Sequence, residues 1–440
     1  MICKVCSAKV KNDYVFCPNC GNLLLWNTNE GNENINENIN QNNSQINSNQ
    51  INLSQDKKVI ISKVNEISEK RSFFTRFFIL LSITGVIFLI SFLCFSFMML
   101  SGYGSGGIGG IISLFLASGM SLIFSTIMLI IIRQMDFYEK EPWSLVIFSF
   151  LWGALGATLF SLFANQINSF IFTTLFGERI GSVLTGIISA PIFEEFFKLL
   201  VIPILIIFFR THFNSPMDGM VYIFSSSLGF KIVEDLVYGA KFTSQAGAIE
   251  GFLLLALIRW LLGFLGHPLM SMYSGFAVGL ATITPNYFLK ILYITAGYIL
   301  SVGSHFLWNF NASVTVQILR EWTCLLFPLH TLFSLLIFVI LYFISINIDR
   351  KILRENLKEE LNEGLLDNQL IDELTNLSLR SRRKSLLKND QRKIYDIFMS
   401  ELASYAMLKK QSINSIGKEI TNTLYEKREV LKHLKPYIYT

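Results

Sequence analysis

The chain has 440 residues, of which 52% are hydrophobic and only 16% are charged, and it contains 39 phenylalanines. Soluble domains carry nearer ~25% charged residues, so this composition excludes an ordinary soluble enzyme and indicates a polytopic helical membrane protein. The net charge of +5 is modest and the basic residues cluster beside apolar runs, which indicates membrane topology and no nucleic-acid binding.

The N-terminal module, residues 1–25, contains cysteines in the pattern C-x2-C-x10-C-x2-C: Cys3, Cys6, Cys17 and Cys20. Two CxxC pairs present four thiolates to one ion, which predicts a closed, structural Zn²⁺ site. Disulfides are the alternative, but no secretory signal precedes the cysteines and the cytosol is reducing. The stretch resembles the short zinc ribbons at the N-termini of many bacterial membrane proteins, which implies an adaptor for a cytosolic partner.

Polar segments flank the apolar region on both sides. Residues 26–56 are rich in asparagine and cannot bury enough apolar surface to fold, which predicts a disordered linker. Residues 57–348 form the predicted membrane domain, which opens with a charged, periodic helix. Residues 349–440 are charged and helix-prone, and we expect a helical cytosolic tail: a hairpin, a coiled segment or a solvated helix without specific chemistry. This tail is a second candidate for binding a cytosolic partner.

Eight apolar runs in this domain are long enough to cross a bilayer, which needs ~20 residues. Their predicted bounds are 73–100, 111–132, 143–173, 181–209, 217–238, 251–281, 287–310 and 324–346. With the N-terminus inside, most flanking basic residues fall on the cytosolic side: Arg71, Arg76, Arg133, Lys140, Arg210, Lys290, Arg350 and Lys351. The other side holds only Arg179, Lys241 and Arg320. The sequence therefore predicts an all-α, multi-pass protein of the cell membrane with about eight transmembrane helices and both termini cytoplasmic.

The fourth run carries three ionisable residues within five positions. Glu194 and Glu195 are adjacent, and Lys198 follows at a spacing that lets either carboxylate reach it on one helix face. Each charge at bilayer depth costs at least ~2.5–3.5 kcal/mol. A buried salt bridge that only fixes helix packing is one explanation. A functional polar cavity is the other, and we favour it because ionisable groups inside membrane spans are functional by default.

The next three runs each add a polar pair: Glu234 with Asp235, Arg259 with His267, and His305 with Asn309. The last two pairs are spaced so that both members lie on roughly one face of a helix. Taken singly, each could be a hydrogen bond between helices. Four polar sets in succession predict that they converge on one cavity.

Such a cavity has the groups needed to hydrolyse an amide bond. Glu194 or Glu195 would act as a general base towards a water molecule. His267, His305 and Asn309 would donate hydrogen bonds to the developing oxyanion. Glutamate and histidine also suit zinc, but the HExxH spacing is absent and no trio has convincing zinc-ligand spacing in the sequence, so we expect no catalytic metal.

Five motifs follow one another along these runs: EEFFK at 194–198, Asp218-Gly219, GFxxxED at 229–235, RxxxxxxxH at 259–267 and HFLWN at 305–309. The set resembles the PrsW family of intramembrane proteases over residues 139–310. More distantly, it is similar to CAAX prenyl endopeptidases and the bacteriocin-processing group. The resemblance implies cleavage of a membrane protein in the bilayer, such as an anti-sigma-factor-like substrate.

By residue, the resemblance assigns the site to Glu194, Glu195, Lys198, Glu234, His267 and His305. Asp235 departs from the family pattern, which commonly has asparagine there, so its part in the chemistry stays open. The family has been described both as metal-dependent and as a metal-free glutamate type, and the residues of this chain favour the second.

Two other classes of function remain open. A proton- or ion-coupled transporter would use paired carboxylates and histidines as a relay, but it should have inverted repeats, and the polar set has no second copy. A non-catalytic scaffold would use the ribbon and the tail to recruit partners, and its phenotypes would follow Cys3→Ser or tail deletion. We favour the hypothesis that the chain is an intramembrane endopeptidase.

Overall fold

The computed structural model describes residues 70–263, 265–319, 323–414 and 418–438, which form helices joined by short turns, with no β-strand among them. The chain divides into a membrane unit, Arg76–Asp349, and a second unit that includes Arg350–Ser412. The predicted zinc ligands Cys3, Cys6, Cys17 and Cys20 and the predicted linker lie outside the described residues.

The helices up to the end of the membrane unit are, in chain order, α1 Lys70–Gly104, α2 Gly107–Met135, α3 Trp143–Leu151, α4 Thr158–Phe176, α5 Glu178–Leu184, α6 Ala190–Leu199, α7 Val201–Phe208, α8 Pro216–Ala246, α9 Ala248–Leu255, α10 Gly266–Ile283, α11 Tyr287–Phe310, α12 Val316–Leu319 and α13 Thr323–Asn356. Four π-helical segments extend or connect them: Trp152–Ala157, Thr185–Ser189, Ala256–Leu262 and Asn311–Thr315.

Within the described residues, six helical stretches are long and apolar enough to cross a membrane by length and composition: Phe73–Gly104, Gly107–Met135, Trp143–Phe176, Ala248–Ile283, Tyr287–Thr315 and Leu325–Asn362. They correspond to six of the eight predicted runs. The fourth run is divided by a turn at Leu200, and the fifth is α8, whose charged residues lower its apolar character. The prediction of eight spans is therefore not confirmed, and both exceptions carry acidic residues of the candidate site.

Helix α8 is the central element of the membrane unit. It is buried on every face from Pro216 to Lys231, as expected of a helix surrounded by others. Helices α2, α3, α9 and α10 pack around it. Its apolar side chains form a core with α10 and α13, which includes Met217, Val221, Phe224, Leu228, Leu269, Met272 and Phe338.

Glycines bring α8 into backbone contact with two neighbours. A Cβ at Gly219 would overlap the carbonyl group of Gly275 on α10, and one at Gly229 would overlap the carbonyl group of Phe150 on α3. Small residues allow this close approach between membrane helices, where dispersion contacts drive association. The close packing fixes how α8 is rotated, and therefore where Glu234 points.

The second unit continues with α14 Lys358–Asn362, α15 Asn368–Thr375, α16 Leu377–Leu386, α17 Asn389–Asn414 and α18 Lys418–Leu434. Tyr395 and Phe398 are fully buried. The buried carboxylate of Glu360 accepts hydrogen bonds from the Tyr405 hydroxyl at 2.6 Å and from Lys409 Nζ at 2.8 Å. The tail is thus a packed helical unit, unlike the solvated helix that its composition allowed.

Candidate active site

The site is built around Glu195 on α6, whose side chain is 0% exposed. Lys198 Nζ, equally buried, donates to Glu195 Oε1 at 2.8 Å. The same carboxylate accepts a hydrogen bond from the Ser271 hydroxyl at 2.5 Å and lies 3.0 Å from His305 Nδ1. With three partners and no exposure, Glu195 is fixed in position and closed to water.

Glu194 has the opposite environment, although it is the adjacent residue. Its side chain retains 12% exposure, and His305 Nε2 lies 3.8 Å from its Oε2. Its Oε1 accepts one long hydrogen bond, at 3.4 Å, from Asn165 Nδ2 on α4. Its Oε2 has no hydrogen-bond partner in the described part of the chain. Of the two glutamates, Glu194 is therefore the one that can offer an oxygen to a reacting molecule.

On α8, Glu234 and Asp235 both bind Arg259. Arg259 Nη2 donates to Glu234 at 2.5 Å, and Nε donates to Asp235 at 2.6 Å. Lys231 Nζ donates to the other oxygen of Asp235 at 2.6 Å. Asp235 therefore lies between two cations and positions Arg259, whereas the side chain of Glu234 keeps 21% of its surface exposed.

His267 connects these two groups. Its Nδ1 lies 2.9 Å from Lys198 Nζ, and its Nε2 is hydrogen-bonded to Glu234 Oε2. Because an ammonium group only donates, Nδ1 is the acceptor and Nε2 carries the proton that is shared with Glu234. The rings of His267 and His305 meet edge to face, with their centroids 4.8 Å apart. Carboxylates and imidazoles from α6, α8, α10 and α11 thus meet in one place.

Three of the π-helical segments adjoin this site. One directly precedes α6, one contains Arg259, and one directly follows α11. Such segments occur frequently at functional sites. Asn309 Nδ2 donates to the carbonyl group of Gly186, in the first of them, at 2.8 Å. Asn309 thus fastens α11 to the helix that carries Glu194, and its suggested contact with an oxyanion stays a prediction.

Two polar residues that the sequence analysis missed complete the site. Ser271 lies four residues after His267, so both project from one face of α10. Asn165, in the predicted third span, binds Glu194 and accepts a hydrogen bond from the Ser189 hydroxyl at 2.8 Å. The available signal was the same for both: a polar side chain at membrane depth.

Glu194, His267 and His305 also form a group that could hold a metal ion. One ligand atom from each lies within 4.8 Å of the others. Two histidines and a glutamate are the ligands of one class of catalytic zinc site. Glu195 contacts Nδ1 of His305 as a carboxylate does when it orients a metal-binding histidine. Glu194 Oε2 has no hydrogen-bond partner among the described residues and could bind an ion directly. His267 would first have to give up its hydrogen bond to Glu234.

Replacing Glu195 by glutamine should destabilise the folded chain. Lys198 would stay buried without its charged partner, and losing one member of a buried ion pair costs about 3–5 kcal/mol. Thermal unfolding in detergent should show a clearly lower Tm for Glu195→Gln. The matched variant Glu194→Gln should unfold close to the wild-type temperature, because it loses only one long hydrogen bond. Equal losses of Tm in both variants would contradict this division of roles.

Comparison with known proteins bears on the same part of the chain. Residues 141–345 match the model of the PrsW family, described as intramembrane metalloproteases. This range contains all the site residues described above.

Three curated relatives, each called Protease PrsW, are similar to the chain. The relative from Geobacillus kaustophilus is 34% identical over 148 residues, which are 33% of this chain and 58% of that protein. The one from Oceanobacillus iheyensis is 29% identical over 171 residues, 39% of this chain and 71% of the relative. The one from Clostridioides difficile is 33% identical over 108 residues, 24% and 43% of the two lengths. No solved structure matches the chain.

The chain thus spans less than two thirds of the length of two of these relatives. The zinc ribbon and the suggested relationship to CAAX endopeptidases gain no support from the comparisons. The family model and the three relatives together show that residues 141–345 are similar to PrsW-family intramembrane proteases.

Proposed function

We propose that this chain is an intramembrane endopeptidase that hydrolyses a peptide bond of a membrane-protein substrate. The proposal rests on the pairing of Glu194 with His305. Their atoms Oε2 and Nε2 lie 3.8 Å apart, and Nδ1 of His305 is engaged with Glu195. When Nδ1–H of a neutral His305 donates to Glu195, both Nε2 and the Glu194 oxygen are acceptors. One water molecule can then donate to both at about 2.8 Å, with a lone pair left to attack a carbonyl carbon.

In this arrangement Glu194 is the general base. It takes a proton from the water as the oxygen bonds to the carbonyl carbon, and it returns that proton to the leaving amine when the carbon–nitrogen bond breaks. Arg259 has N–H groups beyond the two that bind Glu234 and Asp235, so we propose it as a donor to the oxyanion. Glu195 holds His305 in place.

A divalent metal bound by Glu194, His267 and His305 would polarise the carbonyl group and lower the pKa of a bound water. We propose that the glutamate suffices without it. Both nitrogens of His267 already bind protein groups, Lys198 and Glu234.

An apolar groove beside the site suits a membrane-spanning segment as substrate. Its volume is about 430 Å³, and its lining includes Ile188 and Ile192 on one side and Tyr298, Ile299 and Phe306 of α11 on the other. The same two walls carry Glu194 and His305. A substrate helix could pass from the lipid into this groove and present a peptide bond. We propose a single-span, anti-sigma-factor-like protein as the substrate class.

Glu194→Gln should abolish cleavage, because an amide cannot take the proton from water. We expect a loss of at least about 100-fold, the lower bound for a general base. The measurement is cleavage of a reporter membrane protein, together with a membrane proteome comparison that looks for one uncut species. Glu178→Gln, at an exposed position of α5, is the matched control and should cleave normally. Wild-type cleavage by a folded Glu194→Gln variant would remove the assignment.

Gly303→Leu should block substrate binding without disturbing the fold. Gly303 lines the groove, and a Cβ there meets nothing within 4 Å. We expect slower cleavage of a span-bearing reporter at an unchanged Tm. Gly119→Leu on α2, where a Cβ also meets nothing within 4 Å, is the control. Equal cleavage by the two variants would place the substrate elsewhere.

For the ends of the chain, we propose a structural Zn²⁺ held by Cys3, Cys6, Cys17 and Cys20, and both termini in the cytoplasm. The CxxC spacing supports the Zn²⁺ site. The excess of basic residues on one side of the predicted spans supports the cytoplasmic termini. The ribbon or the tail would then be free to bind a cytosolic partner. Labelling of the cysteines by a membrane-impermeant thiol reagent in vesicles of known orientation tests the location.

Chelation separates the two possible roles of metal. We expect elemental analysis to find zinc in the wild type and to find none in a Cys17→Ser, Cys20→Ser variant. Treated with a chelator in detergent, this variant should keep its cleavage activity, because the glutamate mechanism needs no ion. Loss of cleavage that added zinc restores would instead assign a catalytic metal to Glu194, His267 and His305.

A further inference from the structure

A second group of buried acids lies where α2, α3 and α8 meet. Asp136 follows α2, Glu141 precedes α3, and Asp218 lies in the first turn of α8. Each offers a carboxylate oxygen, and these oxygens lie within 4.8 Å of one another. All three residues are buried. Three acids so close together in a buried place need a compensating positive charge or shared protons.

Arg133 interacts electrostatically with Asp136 and Glu141 but makes no ion pair with either, so it supplies only part of that charge. Within the described part of the chain, no basic side chain lies within ion-pair distance of the Asp136, Glu141 or Asp218 carboxylate. Arg133 is close, but its Nε donates to the backbone oxygen of Glu141 at 2.6 Å, and its guanidinium group lies 4.7 Å from the centre of the Trp143 ring.

Buried oxygens without partners point to a ligand here. Asp136 Oδ2 has no hydrogen-bond partner in the described ranges, and neither has Asn214 Oδ1 nor Asp349 Oδ1. Asn214 adjoins the acids, because its backbone N–H donates to Asp218 Oδ2 at 2.6 Å. Asp349 interacts electrostatically with Asp136 and Asp218. A buried oxygen left unpaired is costly, and a cation bound among the three acids would give Asp136 Oδ2 a partner.

We propose that Asp136, Glu141 and Asp218 bind a hard divalent cation, Ca²⁺ or Mg²⁺, with the unpaired oxygen of the adjoining Asn214 as a further candidate ligand. Every donor is an oxygen, which is the ligand type these ions prefer. Oxygens on opposite sides of one Ca²⁺ are about 4.6–5.2 Å apart, so a separation within 4.8 Å lets one ion reach all three carboxylates.

This cation site is separate from the candidate active site. Glu234 lies sixteen residues after Asp218 on α8, or about 24 Å at the helical rise of 1.5 Å per residue. The ion would join the start of α8 to the α2–α3 connection. It would therefore hold the central helix in place and take no part in the reaction.

The test is terbium luminescence on the full chain, purified in detergent and stripped with a chelator. Tb³⁺ replaces Ca²⁺ on oxygen ligands. The Tyr222 hydroxyl donates a hydrogen bond to Glu141, so its ring is close enough to transfer excitation energy to a bound Tb³⁺. We expect one saturable Tb³⁺ per chain, displaced by Ca²⁺ or Mg²⁺. Asp136→Asn and Glu141→Gln should each weaken binding by at least about tenfold. The controls Glu194→Gln and Cys17→Ser, Cys20→Ser should bind like the wild type.

Measurements on the wild-type protein alone can contradict the proposal, so the test does not depend on whether the variants fold. If the stripped wild type gives no saturable Tb³⁺ signal, and its Tm does not rise with millimolar Ca²⁺ or Mg²⁺, protons and not a cation neutralise the acids. A signal lost in Glu194→Gln but kept in folded Asp136→Asn would also overturn it, by moving the ion to the other site.

Discussion

A fully buried ion pair, Glu195 with Lys198, holds the candidate active site together. Removing two charges from water costs several kcal/mol per ion, and their attraction offsets this only when the remaining hydrogen-bonding groups are satisfied. Other helices satisfy them: Ser271 and His305 bind Glu195, and His267 meets Lys198. The pair is therefore stable only when α6, α10 and α11 are all in place, and the same contacts fix the histidines.

The two pairs of adjacent acids, Glu194 with Glu195 and Glu234 with Asp235, share one feature. Glu195 and Asp235 are enclosed by partners, whereas the side chains of Glu194 and Glu234 keep some exposure. Successive residues on a helix point about 100° apart, so one of each pair faces packed protein while the other faces the reacting space. In the proposed mechanism, the enclosed acid orients a base or a cation for its neighbour, which is the preorganisation that catalysis requires.

Helix α8 connects the candidate active site with the proposed cation site. Gly219 and Gly229 bring its backbone against α10 and α3, which sets its rotation as well as its position. At its first turn, Asp218 joins the acids around the proposed cation, and further along Glu234 meets His267 and Arg259. A helix held at both places can keep Glu234 in contact with His267 and Arg259. This explains why the most charged of the long apolar runs is also the most buried.

The sequence alone determined the helical class, six of the apolar helices, the polar pairs and their convergence, because hydropathy and spacing along one helix are local properties. It could not decide which glutamate binds Lys198, since both spacings on α6 allow the contact. Ser271 and His305, which come from other helices, decided it in favour of Glu195. No spacing in the sequence grouped Glu194 with His267 and His305, or Asp136 with Glu141 and Asp218. Contacts between helices depend on how each helix is rotated and how closely it packs, and only the tertiary structure sets these.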